Sequence, residues 1–177
     1  MKQTVCILSL LIFALSLQAQ DTKTKIKTKG NAPAMMLPYT AHYSSQFKIG
    51  NPAHAEMVLQ LWKDYDDNDF GKHAAWFADT MQMISTSGLV TKGKAANMEA
   101  IKKYRSSLTS ASSTVDAWIP LRSIDKNEDW VAIWGTETDT YADGHTEKSE
   151  IHEIWQINKD GKVVFIKQYT GKSPERS

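Results

Sequence analysis

The chain has 177 residues, 21 basic and 20 acidic, for a formal net charge of +1. That balance argues against a nucleic-acid partner, which needs a clustered basic face. A single cysteine, Cys6, excludes a disulfide framework and a cysteine-rich metal site. The length suits one domain with a sizeable core.

The first segment, 1–19, reads as an export leader. Lys2 precedes a mostly apolar run over 5–17, and Gln18-Ala19-Gln20-Asp21 offers a small residue at a cleavage point. The run is shorter than the ~20 residues of a stable membrane span. No stable span is therefore expected after cleavage, and the mature protein is expected to be exported, periplasmic or secreted; a retained anchor is the alternative. Cleavage would remove Cys6 and Lys2, leaving basic and acidic residues in balance.

Segment 20–51 reads as a basic leader and arm. Lys23, Lys25, Lys27 and Lys29 form a solvated tail, with attraction to an anionic envelope surface as the alternative. Tyr39, Tyr43 and Phe47 recur at a helix-like interval and are expected to pack the arm against the domain or a second subunit.

The folded domain, 52–171, opens at Asn51-Pro52, an N-cap followed by proline at the first helical position. Val58, Leu61, Trp62 and Tyr65 share one helical stripe. The helix ends in Asp66-Asp67-Asn68-Asp69, a run that lacks the glycine and distal glutamate of a calcium loop. Phe70, Ala74 and Phe77 predict a second helix, and Met81 and Met83 a short strand. A third helix spans 95–108 with Met98, Ile101 and Leu108 on its buried stripe. Strands follow over 115–124, 130–141, 148–157 and 162–169, the last three joined at Asp143-Gly144 and Asp160-Gly161, dipeptides suited to tight hairpins. Residues 172–177 form a tail. The expected class is α+β: a curved antiparallel sheet wrapped around three N-terminal helices, with a pocket between them.

This order resembles the nuclear transport factor 2-like superfamily, and within it the SnoaL-like group. The resemblance rests on Trp76-Phe77-Ala78-Asp79, on Gly93 with the helix after it, and on the closing run from Ile154 through Asp160-Gly161 to Val164. It implies a cone-shaped fold with a pocket at the open end, and often a homodimer formed through the outer sheet face. The superfamily holds isomerases, polyketide cyclases, epoxide hydrolases, dehydratases and binding modules, so the fold alone does not choose among them. Two departures stand out. Where the isomerases it resembles carry a catalytic aspartate and tyrosine, this chain has Ser85 and Leu61, and where the cyclases have histidine then tryptophan it has Ile166-Lys167.

The candidate residues follow from strand alternation. Ile151, Glu153, Trp155 and Ile157 share the more apolar face of their strand, while Glu150, His152, Ile154 and Gln156 share the other. A desolvated Glu153 would have a raised pKa and is the acid or base candidate, with Tyr65 and Tyr104 as hydrogen-bond donors. The resemblance places Glu153 where isomerases carry an oxyanion-stabilising carboxylic acid. The alternative is that it pairs with Arg122 or a tyrosine across the sheet. His152 is expected on an outer or interfacial surface. With no second histidine at ligand spacing, no metal and no cofactor is expected.

Six tryptophans in one domain suggest an aromatic lining. Trp62, Trp118, Trp134 and Trp155, with Thr136 and Gln168 as polar handles, form the expected ligand-binding set. Three functions stay open: an exported module binding a small apolar or aromatic molecule; a cofactor-independent isomerase, dehydratase or cyclase using Glu153; and a homodimeric structural or assembly module.

Overall fold

The computed structural model describes residues 37–173. The leader, the lysine run and the last four residues lie outside the described residues. The chain divides into two units, Met1–Thr40 and Ala41–Ser177, and every regular element belongs to the second.

Helix α1 (Pro52–Asp66) begins as its sequence demands: the Asn51 side chain accepts from the Ala53 N–H at 3.1 Å, and Pro52 occupies the first turn. Its stripe of Ala55, Val58, Leu61 and Trp62 is buried. The acidic run after it serves structure. The Asp66 carboxylate accepts from the Ser113 N–H at 3.0 Å and from its hydroxyl at 2.8 Å, and Asn68 turns the chain with φ of 56°. Buried Arg105 closes the same helix end, donating at 3.0 Å to each of the Tyr65 and Asp66 carbonyls, the first of which also accepts the Asn68 N–H at 3.1 Å.

The predicted second helix is absent. Residues 67–76 form turns and one 3₁₀ turn (Ala74–Trp76), because Gly71 interrupts a segment too short to pass helix nucleation and Phe77 starts a strand. The described residues therefore hold two α-helices rather than three, α2 being Lys94–Arg105.

The strands are β1 (Phe47–Ile49), β2 (Phe77–Ile84), β3 (Val90–Lys92), β4 (Leu108–Ser123), β5 (Glu128–Tyr141), β6 (Thr146–Ile157) and β7 (Val163–Lys172). They form one curved, unclosed sheet in the order β1-β4-β5-β6-β7-β2-β3. All neighbours are antiparallel except β2 and β7, so the sheet is mixed where the sequence predicts an antiparallel one. The long meander does run as expected, through hairpins with Gly144 at φ of 86° and Gly161 at 72°. Strand β1 lies within the segment read as an arm and pairs with β4. Beside it, the Tyr43 ring meets Trp130 edge-on at 6.0 Å.

The core lies between α1 and the inner sheet face: Val58, Met81, Val131, Ile133, Ile151, Trp155, Val163 and Ile166. On β5 this fixes parity. Val131 and Ile133 point inward, so Gly135, Glu137 and Asp139 do too. Gly135 faces the bulge in β4, and a Cβ there would sit 2.2 Å from the Thr114 carbonyl oxygen. Gly135→Val is therefore expected to cost about 1–3 kcal/mol or more in a urea melt. An unchanged midpoint would show that the strands part freely.

Candidate functional site

A cavity of about 470 Å³ opens between the two helices and the inner faces of β2, β5, β6 and β7. One wall is apolar, built from Leu61, Phe70, Phe77, Met83, Ile151 and Ile166, with Trp62 and Trp155 beside them. Glu153 is buried among these groups at 6% exposure. Its Oε2 accepts from the indole N–H of Trp62 at 2.7 Å and of Trp155 at 2.9 Å, and its Oε1 accepts from the Gln168 amide at 3.0 Å. Burial pushes the carboxyl above its ordinary value, and the three donors pull it partly back.

The opposite end is acidic. The Tyr65 hydroxyl donates to Glu137 Oε1 at 3.1 Å, and the Tyr104 hydroxyl to Asp139 Oδ2 at 2.8 Å. Helix α1 supplies the first tyrosine, α2 the second, and adjacent inward positions of β5 supply both carboxylates. Burial, with Asp139 next along the strand, pushes Glu137 up to about 8. Both tyrosines are pushed well above their usual value, chiefly by burial and by the acids beside them, so they remain donors throughout the physiological range. Asp139 Oδ1 is buried without a partner. Among the described residues lining the cavity, none is basic. Nor do the described residues hold a cluster of three or more histidine, cysteine or acidic side chains able to bind a metal.

No family model matches the chain, and no curated protein does. Solved structures do. An NTF2-like protein of unknown function from Exiguobacterium sp. 255-15 superposes with a TM-score of 0.56 at 16% identity, over 66% of this chain and 98% of that one. A putative SnoaL-like polyketide cyclase from Shewanella denitrificans OS-217 gives 0.58 at 6% identity, over 68% and 92%. The chain shares the NTF2-like fold of these structures. A third similar structure is TerC co-crystallised with polyporic acid, at TM-score 0.55 and 17% identity, over 67% of this chain and 91% of that one.

Within the cavity the structure gathers Trp62, Tyr65, Tyr104, Glu153, Trp155 and Gln168. Ser85 and Leu61 line it as well. The structure does not bring Trp118, Trp134 or Thr136 to it. Trp134 and Thr136 pair with His152 and Glu150 on the outward parity of β5, opposite to the inward Val131 and Ile133. Trp134 is 39% exposed and meets His152 edge-on at 5.8 Å; Trp118, beyond the β4 bulge, is 50% exposed. Glu153 does not pair with Arg122, which binds Asp129 at 2.6 Å.

Sequence reasoning missed Glu137 and Asp139. The signal was present, since both share the parity of Val131 and Ile133, but Trp134 and Thr136, of the other parity, read as lining.

Proposed function

We propose that the protein binds a small, mostly apolar or aromatic organic molecule in this cavity. The observation that carries the reading is the cavity's division into an aromatic and aliphatic wall and one end with two tyrosine–carboxylate pairs, the usual composition of a small-molecule site at a usual size. The polyporic acid that accompanied TerC, a protein of the same fold, is consistent with such a ligand. Export through the leader 1–19 belongs to the same reading, as does a homodimer through the outer sheet face, where Trp134, His152 and Tyr169 form a partly exposed aromatic row.

A second reading, a cofactor-independent isomerase, dehydratase or cyclase, is favoured by Glu137 rather than Glu153. Glu137 holds its proton near neutrality and stands beside a tyrosine that stays protonated, so it has the pKa of an acid or base and a neighbouring donor for a developing oxyanion. Glu153 has its oxygens occupied by three donors.

Native mass spectrometry of the mature protein purified from its own compartment, beside Glu137→Gln, tests both readings. A small organic molecule retained by both proteins supports binding. An unconverted molecule on the variant alone, with product or nothing on the wild type, supports catalysis. Empty protein in both cases counts against the pocket.

A further inference from the structure

We propose that the ligand of this cavity is a cation: an apolar or aromatic body bearing a protonated amine, seated against Glu137 and Asp139. The inference rests on the small-molecule reading above and narrows it to a chemical class.

The argument is one of unanswered charge and unanswered hydrogen bonds. Among the described residues, five carboxylates line the cavity and no lysine, arginine or histidine does. Three of the five are supplied with partners. Asp64 has His73 Nδ1 at 2.7 Å and Gln60 Nε2 at 3.3 Å. Glu153 has its two indoles and an amide. Glu147, near the rim, accepts from Tyr141 at 3.2 Å and has His145 at 4.0 Å. Glu137 and Asp139 each receive one tyrosine hydroxyl, and for Asp139, only 5% exposed, the proton held by Glu137 is the one further donor within reach. A buried acceptor left unmade is costly, and an uncompensated buried carboxylate more so. The buried cation of α2, Arg105, does not answer them. Its guanidinium lies 6.0 Å from the Tyr65 ring and donates to the carbonyls of Tyr65, Asp66 and Leu108.

Burial and the neighbouring Asp139 carboxylate push Glu137 up to about 8, so without a ligand the acidic end is eased by a proton. An ammonium group does the same work and adds donors: it carries up to three N–H groups, enough for Asp139 Oδ1 and Glu137 together, at the distance of a charge-assisted hydrogen bond. The apolar body of the molecule then lies along Trp62, Phe77 and Trp155. An anionic molecule placed there would meet like charge on both strands β5 and β6. Binding an ammonium displaces the proton of Glu137. Affinity should therefore rise with pH up to about 8, under the joint influence of Tyr65 on α1, Tyr104 on α2, Asp139 on β5, and Glu147 and Glu153 on β6.

The test is a matched series of one aromatic body with three head groups: 2-naphthylmethylamine, 2-naphthylmethanol and 2-naphthoate. Binding to the full chain at pH 7.5 is read from the emission of Trp62 and Trp155 and confirmed by calorimetry. The amine is expected to bind at least about tenfold tighter than the alcohol, with the carboxylate weakest. Asp139→Asn and Glu137→Gln should each bring the ratio of amine to alcohol affinity down toward one. Equal binding of all three compounds leaves the pocket standing and overturns the amine. A preference for the alcohol or the carboxylate, or an amine preference that survives in both variants, also overturns it. Failure of all three compounds to bind overturns the aromatic-ligand reading and this inference with it.

Discussion

Glu153→Leu is expected to be among the most damaging single substitutions in the chain, although it places an apolar side chain on an apolar wall. Leucine removes the acceptor of two indole N–H groups and one amide. The two buried indole donors left unmade cost about 1–3 kcal/mol each, and the half-buried Gln168 amide adds less, a sum that the gain from removing a buried carboxyl only partly offsets. Glu153→Gln should behave differently. Its carbonyl oxygen can take both indoles, as Oε2 does in the native protein, and its NH₂ can face the oxygen of Gln168 once that amide flips. Urea denaturation of the two variants at one pH is the measurement. The leucine variant should lose most of its stability and the glutamine variant about 1 kcal/mol or less. Equal losses would show that the indole pair contributes nothing and that only the carboxyl's charge matters.

The second large effect is on pH dependence. Glu137 has a folded-state value of about 8 against an ordinary 4.5, so the folded protein holds that proton more tightly than the unfolded chain. The sign follows. Its contribution is fully present below about pH 4.5, declines as pH rises toward about 8, and is constant above that, with a slope of up to about 1.4 kcal/mol per pH unit. Glu153, also raised by burial, acts in the same direction. Denaturation midpoints at pH 5 and pH 9 should therefore fall with rising pH in the wild type and fall much less in Glu137→Gln. An identical fall in both proteins would show that Glu137 titrates normally.

How much of this was legible in the sequence divides along one physical line. Where burial follows apolarity, alternation and capping sufficed. Asn51-Pro52 announced α1, the Asp-Gly pairs announced the hairpins, and Ile151, Trp155 and Ile157 carried Glu153 to the inner face with them. Where burial runs against apolarity, the same reasoning misplaced residues. On β5 the inward row passes from Val131 and Ile133 through Gly135 to Glu137 and Asp139, and its polar half looks like solvent-facing sequence. Only the apolar half of that row reveals its direction. Strand partners were out of reach for a different reason. The pairing of β2 with β7 links 77–84 to 163–172, and no local signal reports a contact at that separation. The 67–76 segment shows the converse, a helix-like spacing of Phe70, Ala74 and Phe77 too short to stand against the pull of a neighbouring strand.

The parallel seam between β2 and β7 also sets the order in which the molecule can be built. Strand β2 emerges from the ribosome early, with β3 and α2 directly after it, yet its long sheet neighbour is the last strand among the described residues. Until β7 arrives, β2 has only the three residues of β3 beside it, and the wall holding Phe77 and Met83 has no sheet to join. The β4–β7 meander can zip up through neighbours close in sequence, whereas the seam needs a long loop to close. The cavity is therefore a late product of folding, and a chain halted before residue 163 would carry its aromatic surface uncovered.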